Sequence, residues 1–151
     1  LILGAFNFVN TAQSVAAIVT ATGTNPSACN QTVDVTTGVT AERLANGDCV
    51  VKFTAASTTI SWTVPTGITA VNVLVVGGGG GGGSRAAGGG GGGVTTNPSF
   101  ALSSGSSVYV HVGAGGAANP TGAGAEVNNG SYSSFGAVIA GGGNPKQCFN
   151  K

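Results

Sequence analysis

Few side chains in this sequence could carry out acid–base, nucleophilic or metal chemistry. Lys and Arg together number five, Asp and Glu four, and there is one histidine, His111. General acid–base catalysis needs two titratable groups held together, and the acidic residues show no pairing signal: Asp34, Glu42, Asp48 and Glu126. His111 alternates with two valines in a strand-like pattern and has no cluster of further ligands. The sequence therefore predicts no catalytic site, no metal and no cofactor.

Three cysteines could form covalent links. Cys29, Cys49 and Cys148 are spaced unlike a zinc site or a CxxC motif, so we expect one disulfide and one remaining thiol in an exported chain. A Cys29–Cys49 bond would close a short loop and is slightly favoured, while a Cys49–Cys148 bond stays open. Asn30 and Asn129 begin N-x-S/T acceptor patterns, whose use depends on the source organism.

The glycine tract at 77–93 departs furthest from ordinary composition. Seven glycines are followed by Ser84-Arg85-Ala86-Ala87 and six more glycines. A phosphate-binding loop would need a Gly-Lys-Ser/Thr ending, and Arg85 follows Ser84 instead. Ordered glycines lose much conformational entropy and have no side chain to bury, so we expect either disorder or packed extended helices with about three residues per turn. Ser84 and Arg85 are candidates for recognition at the loop tip, and a solvated turn is the simpler alternative.

Composition indicates an uncharged surface. Only 6% of the residues are charged and the formal net charge is +1, which rules out the clustered Lys and Arg of a nucleic-acid binder. A chain this neutral favours an assembled or surface-displayed protein. Because the sequence begins at Leu1 rather than Met, we expect a removed secretion signal and an extracellular, cell-surface or virion-surface location.

Strand patterns dominate the chain after the first 28 residues. Alternating apolar residues predict strands at 30–36, 51–55, 60–64, 71–76, 100–102, 108–112 and 135–139. The strand at 71–76 is apolar on both faces, so we expect it to be central in its sheet. We interpret Trp62 and Tyr109 as core or interface anchors rather than ligand platforms. The pattern predicts an all-β fold for 29–151, an antiparallel, jelly-roll-like β-sandwich with packed polyglycine loops at 77–93, 113–130 and 141–143.

Residues 1–28 form an uncharged N-terminal arm. A stripe with a three-to-four-residue spacing predicts a helix, whereas alternation at 15–21 predicts a strand, and both interpretations stay open. The arm could be a core segment, a membrane-associated helix, or an extension that completes the sheet of a neighbouring copy. The residues that would drive such assembly are Leu1, Ile2, Leu3, Phe6, Phe8 and Val9.

Four motifs in order resemble a known family. They are W-T-V-P-T-G at 62–67, V-N-V-L-V-V-G at 71–77, V-Y-V-H-V-G-A-G-G at 108–116 and S-S-F-G at 133–136. Together with the polyglycine between them, they resemble the glycine-rich domain of bacterial surface proteins and phage tail tips over residues 50–143. The resemblance implies a β-sandwich with packed polyglycine segments, used for display, adhesion or fibre building and not for catalysis.

The arm lies outside this resemblance and favours a polymer. We expect a structural subunit of an extracellular filament or pilus-like surface assembly, which polymerises with identical subunits through its arm. The alternative is a phage tail-tip or bacterial adhesin domain that binds a host-surface protein or glycan through the loops at 84–87 and 117–129. Neither hypothesis involves nucleic acid or a small-molecule substrate.

Overall fold

Strands account for nearly all of the regular structure in the described part of this protein. The computed structural model describes residues 38–82, 88–118 and 128–144 and the backbone of 17–21. These residues form nine strands: β1 (Ala17–Ala21), β2 (Val39–Arg43), β3 (Cys49–Phe53), β4 (Thr58–Thr63), β5 (Ala70–Val76), β6 (Val94–Ala101), β7 (Ser107–Val112), β8 (Ser133–Phe135) and β9 (Val138–Ala140). The described part of the chain contains no helix, and so none that could span a bilayer.

Two antiparallel sheets pack against each other. The five-stranded sheet has the order β2-β3-β1-β5-β6, and the four-stranded sheet has the order β4-β7-β8-β9. Every strand pair is antiparallel. The predicted all-β antiparallel sandwich is therefore confirmed, whereas the jelly-roll detail stays a prediction.

The core lies between the sheets because the strands alternate inward apolar residues with outward polar ones. Along β5, for example, Val71, Val73 and Val75 are buried while Asn72 is exposed. Aromatic rings fill the centre: Trp62 packs edge-on against Phe53 at 6.3 Å between ring centroids and lies 5.7 Å from Phe135. Trp62 is thus a core residue, as expected.

Strand β1 comes from the N-terminal arm and is the middle strand of its sheet. Ala17 is the register partner of Phe53 on β3 and of Val75 on β5, and Val19 is the partner of Val51 and Val73. The alternating pattern therefore describes these residues better than the helical stripe does. The six apolar arm residues between Leu1 and Val9 lie outside the described residues, as does the strand predicted at 30–36.

Strands β2 and β6 differ from the sequence prediction. The polar stretch before Asn46 contains β2, whose backbone pairs with β3 from Val39 to Arg43. Strand β6 begins at Val94 rather than near Phe100, and it carries Pro98. Proline removes a ladder donor and is confined to edge strands and bulges; β6 is an edge strand with a register shift at this point.

The predicted strand at 135–139 is wrong, since it is a hairpin. Strand β8 ends at Phe135, strand β9 begins at Val138, and these two residues are register partners. Gly136 at the first turn position has a φ of 54°. A positive φ at this position alone is typical of a type II′ turn, which matches the twist of the flanking strands. The central position predicted for β5 is confirmed, because it lies between β1 and β6.

Candidate functional site

Five segments, four of them rich in glycine, lie side by side at one end of the sandwich, and we call them the polyglycine bundle. The first (77–82) continues β5 and the second (88–93) leads into β6. The third (113–117) continues β7, the fourth (128–131) leads into β8, and the fifth (141–144) continues β9. The strands of both sheets thus deliver their adjoining glycine segments to the same place.

The first segment is the centre of the bundle. The N–H groups of Gly77 and Gly80 donate to the second segment at 2.9 and 2.8 Å. Those of Gly78 and Gly81 donate to the fourth segment, both at 2.9 Å. The carbonyl of Gly79 accepts from the third segment at 2.7 Å, and that of Gly78 accepts from the fifth at 2.8 Å. In the second segment, Gly77 bonds to the Gly93 carbonyl and Gly80 to the Gly90 carbonyl. In the fourth segment, Gly78 bonds to the Ser131 carbonyl and Gly81 to the Asn128 carbonyl.

These bonds repeat every three residues. Gly77 and Gly80 contact one neighbour and Gly78 and Gly81 another, which is the pattern of an extended helix with three residues per turn. The positive-φ glycines of the described residues all lie outside the bundle. The described part of the tract is therefore ordered by backbone hydrogen bonds between segments of the same chain that lie side by side. This is one of the two outcomes expected from its composition.

Close approach explains why the segments need glycine. Cβ atoms added to Gly89 and Gly92, three residues apart, would fall on carbonyl groups of the first segment, closer than real Cβ atoms come. Cβ atoms added to Gly88 and Gly91, also three residues apart, would meet nothing within 4 Å. A Cβ atom at Gly90 would lie 2.6 Å from the Asn144 carbonyl oxygen, so the second segment has an open face at Gly88 and Gly91 and is closely packed on its other faces.

The bundle also joins the two sheets. The second segment, which adjoins the five-stranded sheet, donates from Gly93 to the Gly141 carbonyl of the fifth segment at 2.8 Å. The fifth segment adjoins the four-stranded sheet. Ser133 fixes the third segment, since its fully buried side chain accepts a hydrogen bond from the Gly113 N–H at 3.0 Å. This serine was not among the predicted site residues, although the alternation of a strand places Ser133 on the same face as the apolar Phe135.

The far end of the bundle gathers the attachment points of both candidate recognition loops. The candidate loop at 84–87 follows the first segment in the sequence, and the candidate loop at 117–129 ends in the fourth. The Gly81 N–H donates to the Asn128 carbonyl at 2.9 Å, so these two attachment points are neighbours. Ser84 and Arg85 themselves lie outside the described residues.

The cysteine prediction is tested only at one residue. Cys49 is 2% exposed at the start of β3 and is disulfide-bonded. Cys29 and Cys148 lie outside the described residues, so the pairing stays a prediction.

Charge is confined to one hairpin of the described chain. Glu42, Arg43, Asp48 and Lys52 all lie on β2, β3 or the turn between them, and Lys52 Nζ lies 3.2 Å from Glu42 Oε2. The described residues contain no group of three or more His, Cys, Asp or Glu placed to hold a metal.

The outer face of the four-stranded sheet carries exposed aromatic rings. Tyr109 is 70% exposed and Tyr132 is 52% exposed. Of the two roles predicted for Tyr109, that of a core anchor is wrong, because Tyr109 alternates with the inward-facing Val108 and Val110 on β7; that of an interface anchor stays a prediction. That alternation was visible in the sequence, and it was the signal that could have placed the ring outside.

Comparison with known proteins agrees with the bundle and the strands around it. A family model described as a glycine-rich domain matches residues 54–149, which is more than half of the chain. No curated protein and no solved structure gave a significant match. The matched region begins just after β3 and includes all five segments of the bundle. The chain therefore belongs to the glycine-rich domain family.

Proposed function

We propose that this protein is a structural subunit of an extracellular filament or pilus-like surface assembly, in which β1 completes the sheet of an identical neighbour. The observation that carries the proposal is the position of β1. From Ala17 to Thr20 it pairs with β3 on one side and with β5 on the other. Without β1, the five-stranded sheet would split into two pairs of strands separated by a slot one strand wide.

The connection after β1 is long enough for exchange between copies. Strands β1 and β2 flank β3 and run parallel to each other, so the chain crosses over β3 between them. Residues 22–37 provide 16 positions for this crossover, which could span about 55 Å if fully extended. Crossing one strand requires much less, since neighbouring strands lie about 4.8 Å apart. The same length could carry β1 into an adjacent subunit.

Backbone pairing does not distinguish a subunit's own β1 from that of a copy. Exchange of an identical element between protomers is a low-cost route to association. If each subunit donates its strand to the next one, the contact is head-to-tail and produces an open filament rather than a closed dimer. Strand addition of this type relies on main-chain hydrogen bonds for affinity. The low charge of the chain supports close packing of subunits and an extracellular location.

Cross-linking between two single variants tests the exchange directly. Thr20 and Asn72 are register partners on β1 and β5. One chain carries Thr20→Cys, a second carries Asn72→Cys, and the two are mixed, assembled and oxidised. Exchange predicts a disulfide between the two chains, seen by mass spectrometry of tryptic peptides. In the matched control, Thr96→Cys replaces Asn72→Cys. Thr96 lies on β6, which is separated from β1 by β5, and should not cross-link.

Electron microscopy of the same material provides the second test. Filaments containing the cross-link support the proposal. Discrete particles with no link between chains would overturn it. Deletion of residues 1–22 should abolish filaments, and a synthetic peptide of residues 13–25 added in trans should restore the thermal stability of the deleted chain, which shows that the slot accepts a separate strand.

The arrangement of segments at the far end of the bundle supports a second candidate function, binding to a host surface. The Gly81–Asn128 hydrogen bond brings the attachment points of two loops together, as a bacterial adhesin or phage tail tip would require to contact a host-surface protein or glycan. This alternative predicts discrete particles that bind host cells, and loss of that binding in Arg85→Ala with the melting temperature unchanged.

A further inference from the structure

Side chains on the outer face of the four-stranded sheet are arranged in rows that follow the strand register. Thr59, His111, Ser134 and Ile139 form one row across β4, β7, β8 and β9 by register, and Ser61 and Tyr109 form the next row. Tyr132 precedes β8 and stacks on His111. We call these residues the tyrosine face: Thr59, Ser61, Tyr109, His111, Tyr132, Ser134 and Ile139.

Two rings of the tyrosine face are held in place. The ring centroids of His111 and Tyr132 are 4.7 Å apart with a tilt of 37°. The Nδ1 atom of His111 lies 3.0 Å from the Thr59 hydroxyl, within hydrogen-bonding distance. A ring that is already fixed loses little side-chain entropy when a ligand stacks on it. This pair is therefore prepared for contact although half of the Tyr132 surface is open.

Tyr109 is the most open large hydrophobic residue of the described chain, at 70% exposure. It lies two residues from His111 on the same side of β7, a separation of about 6.7 Å along a strand. The Gly136 N–H bonds to the Tyr109 carbonyl at 2.9 Å, so the residues beside this tyrosine are the small Gly136 and Ala137 of the hairpin turn. Nothing large covers the ring.

The tyrosine face is uncharged. Strands β4, β7, β8 and β9 contain no Asp, Glu, Lys or Arg, so the face offers no counter-charge to a nucleic acid, a phosphate or an acidic sugar. Hydroxyl groups of Ser61, Thr59 and Ser134 separate the rings, which does not suit a purely apolar partner. Stable protein interfaces bury about 1,200–2,000 Å² around an apolar centre. Ile139 is also exposed on this face, but Ser134 lies between it and His111 in the row, so the rings and Ile139 do not form a continuous apolar centre.

We propose that the tyrosine face binds a neutral polysaccharide. A sugar ring has an apolar face of C–H groups and a rim of hydroxyls. The rings of Tyr109 and Tyr132 are exposed surfaces on which such apolar faces can stack, and the serine and threonine hydroxyls can form hydrogen bonds with the rim. This site is separate from the β1 slot and from the loops of the bundle, so it stands whether or not the subunit polymerises through β1.

Binding of the full chain to defined sugars tests the proposal. Titration calorimetry would use cellohexaose and chitohexaose as neutral probes at millimolar concentration and an alginate oligosaccharide as the charged one. The neutral probes separate a glucan from an amino-sugar source. We expect binding of a neutral probe, and about a tenfold or greater loss in each of Tyr109→Ala and Tyr132→Ala, since an aromatic contact is worth roughly that factor. Tyr109→Phe should keep most of the affinity, because the ring remains.

Val94→Ala is the matched control. Val94 is 64% exposed on β6 of the other sheet, so this change removes exposed apolar surface away from the tyrosine face and should leave binding unchanged. Thermal melts of all variants separate lost contacts from lost folding. No binding of either neutral probe would overturn the proposal, as would unchanged binding in both alanine variants or equal binding of alginate. A change in the sedimentation of Tyr109→Ala without sugar would assign the face to a second copy of the chain instead.

Discussion

Substitution of two neighbouring glycines should have opposite effects on stability. At Gly92, a Cβ atom would fall on the backbone carbonyl of Gly77 in the first segment of the bundle. Backbone cannot move aside as a flexible side chain does, so the second segment would have to separate from the first. At Gly91, one residue earlier, a Cβ atom would meet nothing within 4 Å.

The magnitude for Gly92→Ala follows from what the separation breaks. Overpacking costs about 1–3 kcal/mol. The bonds from the Gly77 and Gly80 N–H groups to the second segment contribute a net ~0.5–1.5 kcal/mol each. Alanine recovers about 0.4–1 kcal/mol by restricting the unfolded chain. The net loss should be about 1–5.6 kcal/mol, or a fall in melting temperature of roughly 2–22 °C for a domain of this size.

Gly91→Ala is the matched control and should be neutral or stabilising by up to about 1 kcal/mol, because only the unfolded-chain effect remains. The assay is thermal or chemical unfolding of each variant followed by circular dichroism. Alanine substitutions three residues earlier should have the same effects on stability, with Gly88→Ala tolerated like Gly91→Ala and Gly89→Ala destabilising like Gly92→Ala. Equal melting temperatures for Gly91→Ala and Gly92→Ala would refute the packing of the bundle and would favour the alternative that the tract is a flexible loop.

Two further predictions concern polar contacts. Ser133→Ala should lower the free energy of unfolding by about 1–3 kcal/mol, since the buried Gly113 N–H loses its acceptor; urea unfolding measures this, Ser134→Ala on the outer face is the control, and a loss below that of the control would contradict the assignment. Lys52→Ala should cost less than about 1 kcal/mol, because the ion pair with Glu42 is exposed to solvent, and the small difference should disappear in high salt; a large cost that high salt does not remove would contradict this.

The strands that could be predicted from sequence are those whose inward side chains are large and regular. Val71, Val73 and Val75 alternate without interruption, and Trp62 sits within a similar pattern, so both strands and the central place of β5 followed from the residues alone. Burial on one face imposes the period of two on the sequence.

The strands that were missed owe their structure to neighbours. Residues Val39 to Arg43 are mostly exposed, so the polar β2 is specified by pairing with β3 rather than by its own pattern. Pro98 concealed β6, because proline is compatible with a strand only where the edge is free. The hairpin between β8 and β9 was not predicted, since the single Gly136 inside an apolar run is not a sufficient turn signal.

Composition predicted the type of helix in the bundle but not its neighbours. Glycines are interchangeable in a sequence, so nothing in the tract shows that Gly78 bonds to the fourth segment and Gly77 to the second. The register of strands β5, β7, β8 and β9 determines which segments meet. The candidates Ser84 and Arg85 and the arm residues from Leu1 to Val9 lie outside the described residues and stay predictions.

Because the segments of the bundle repeat every three residues, the position of a glycine in the repeat, which we call its phase, determines which neighbouring segment it faces. One residue inserted into the second segment would rotate every later glycine by a third of a turn, so that a position now open to solvent, such as Gly91, would face the first segment. Three inserted residues would restore the phase and lengthen the segment by about 9 Å. The bundle should therefore tolerate changes of length in multiples of three, so that the far-end loops can be raised or lowered while the sandwich beneath them is unchanged.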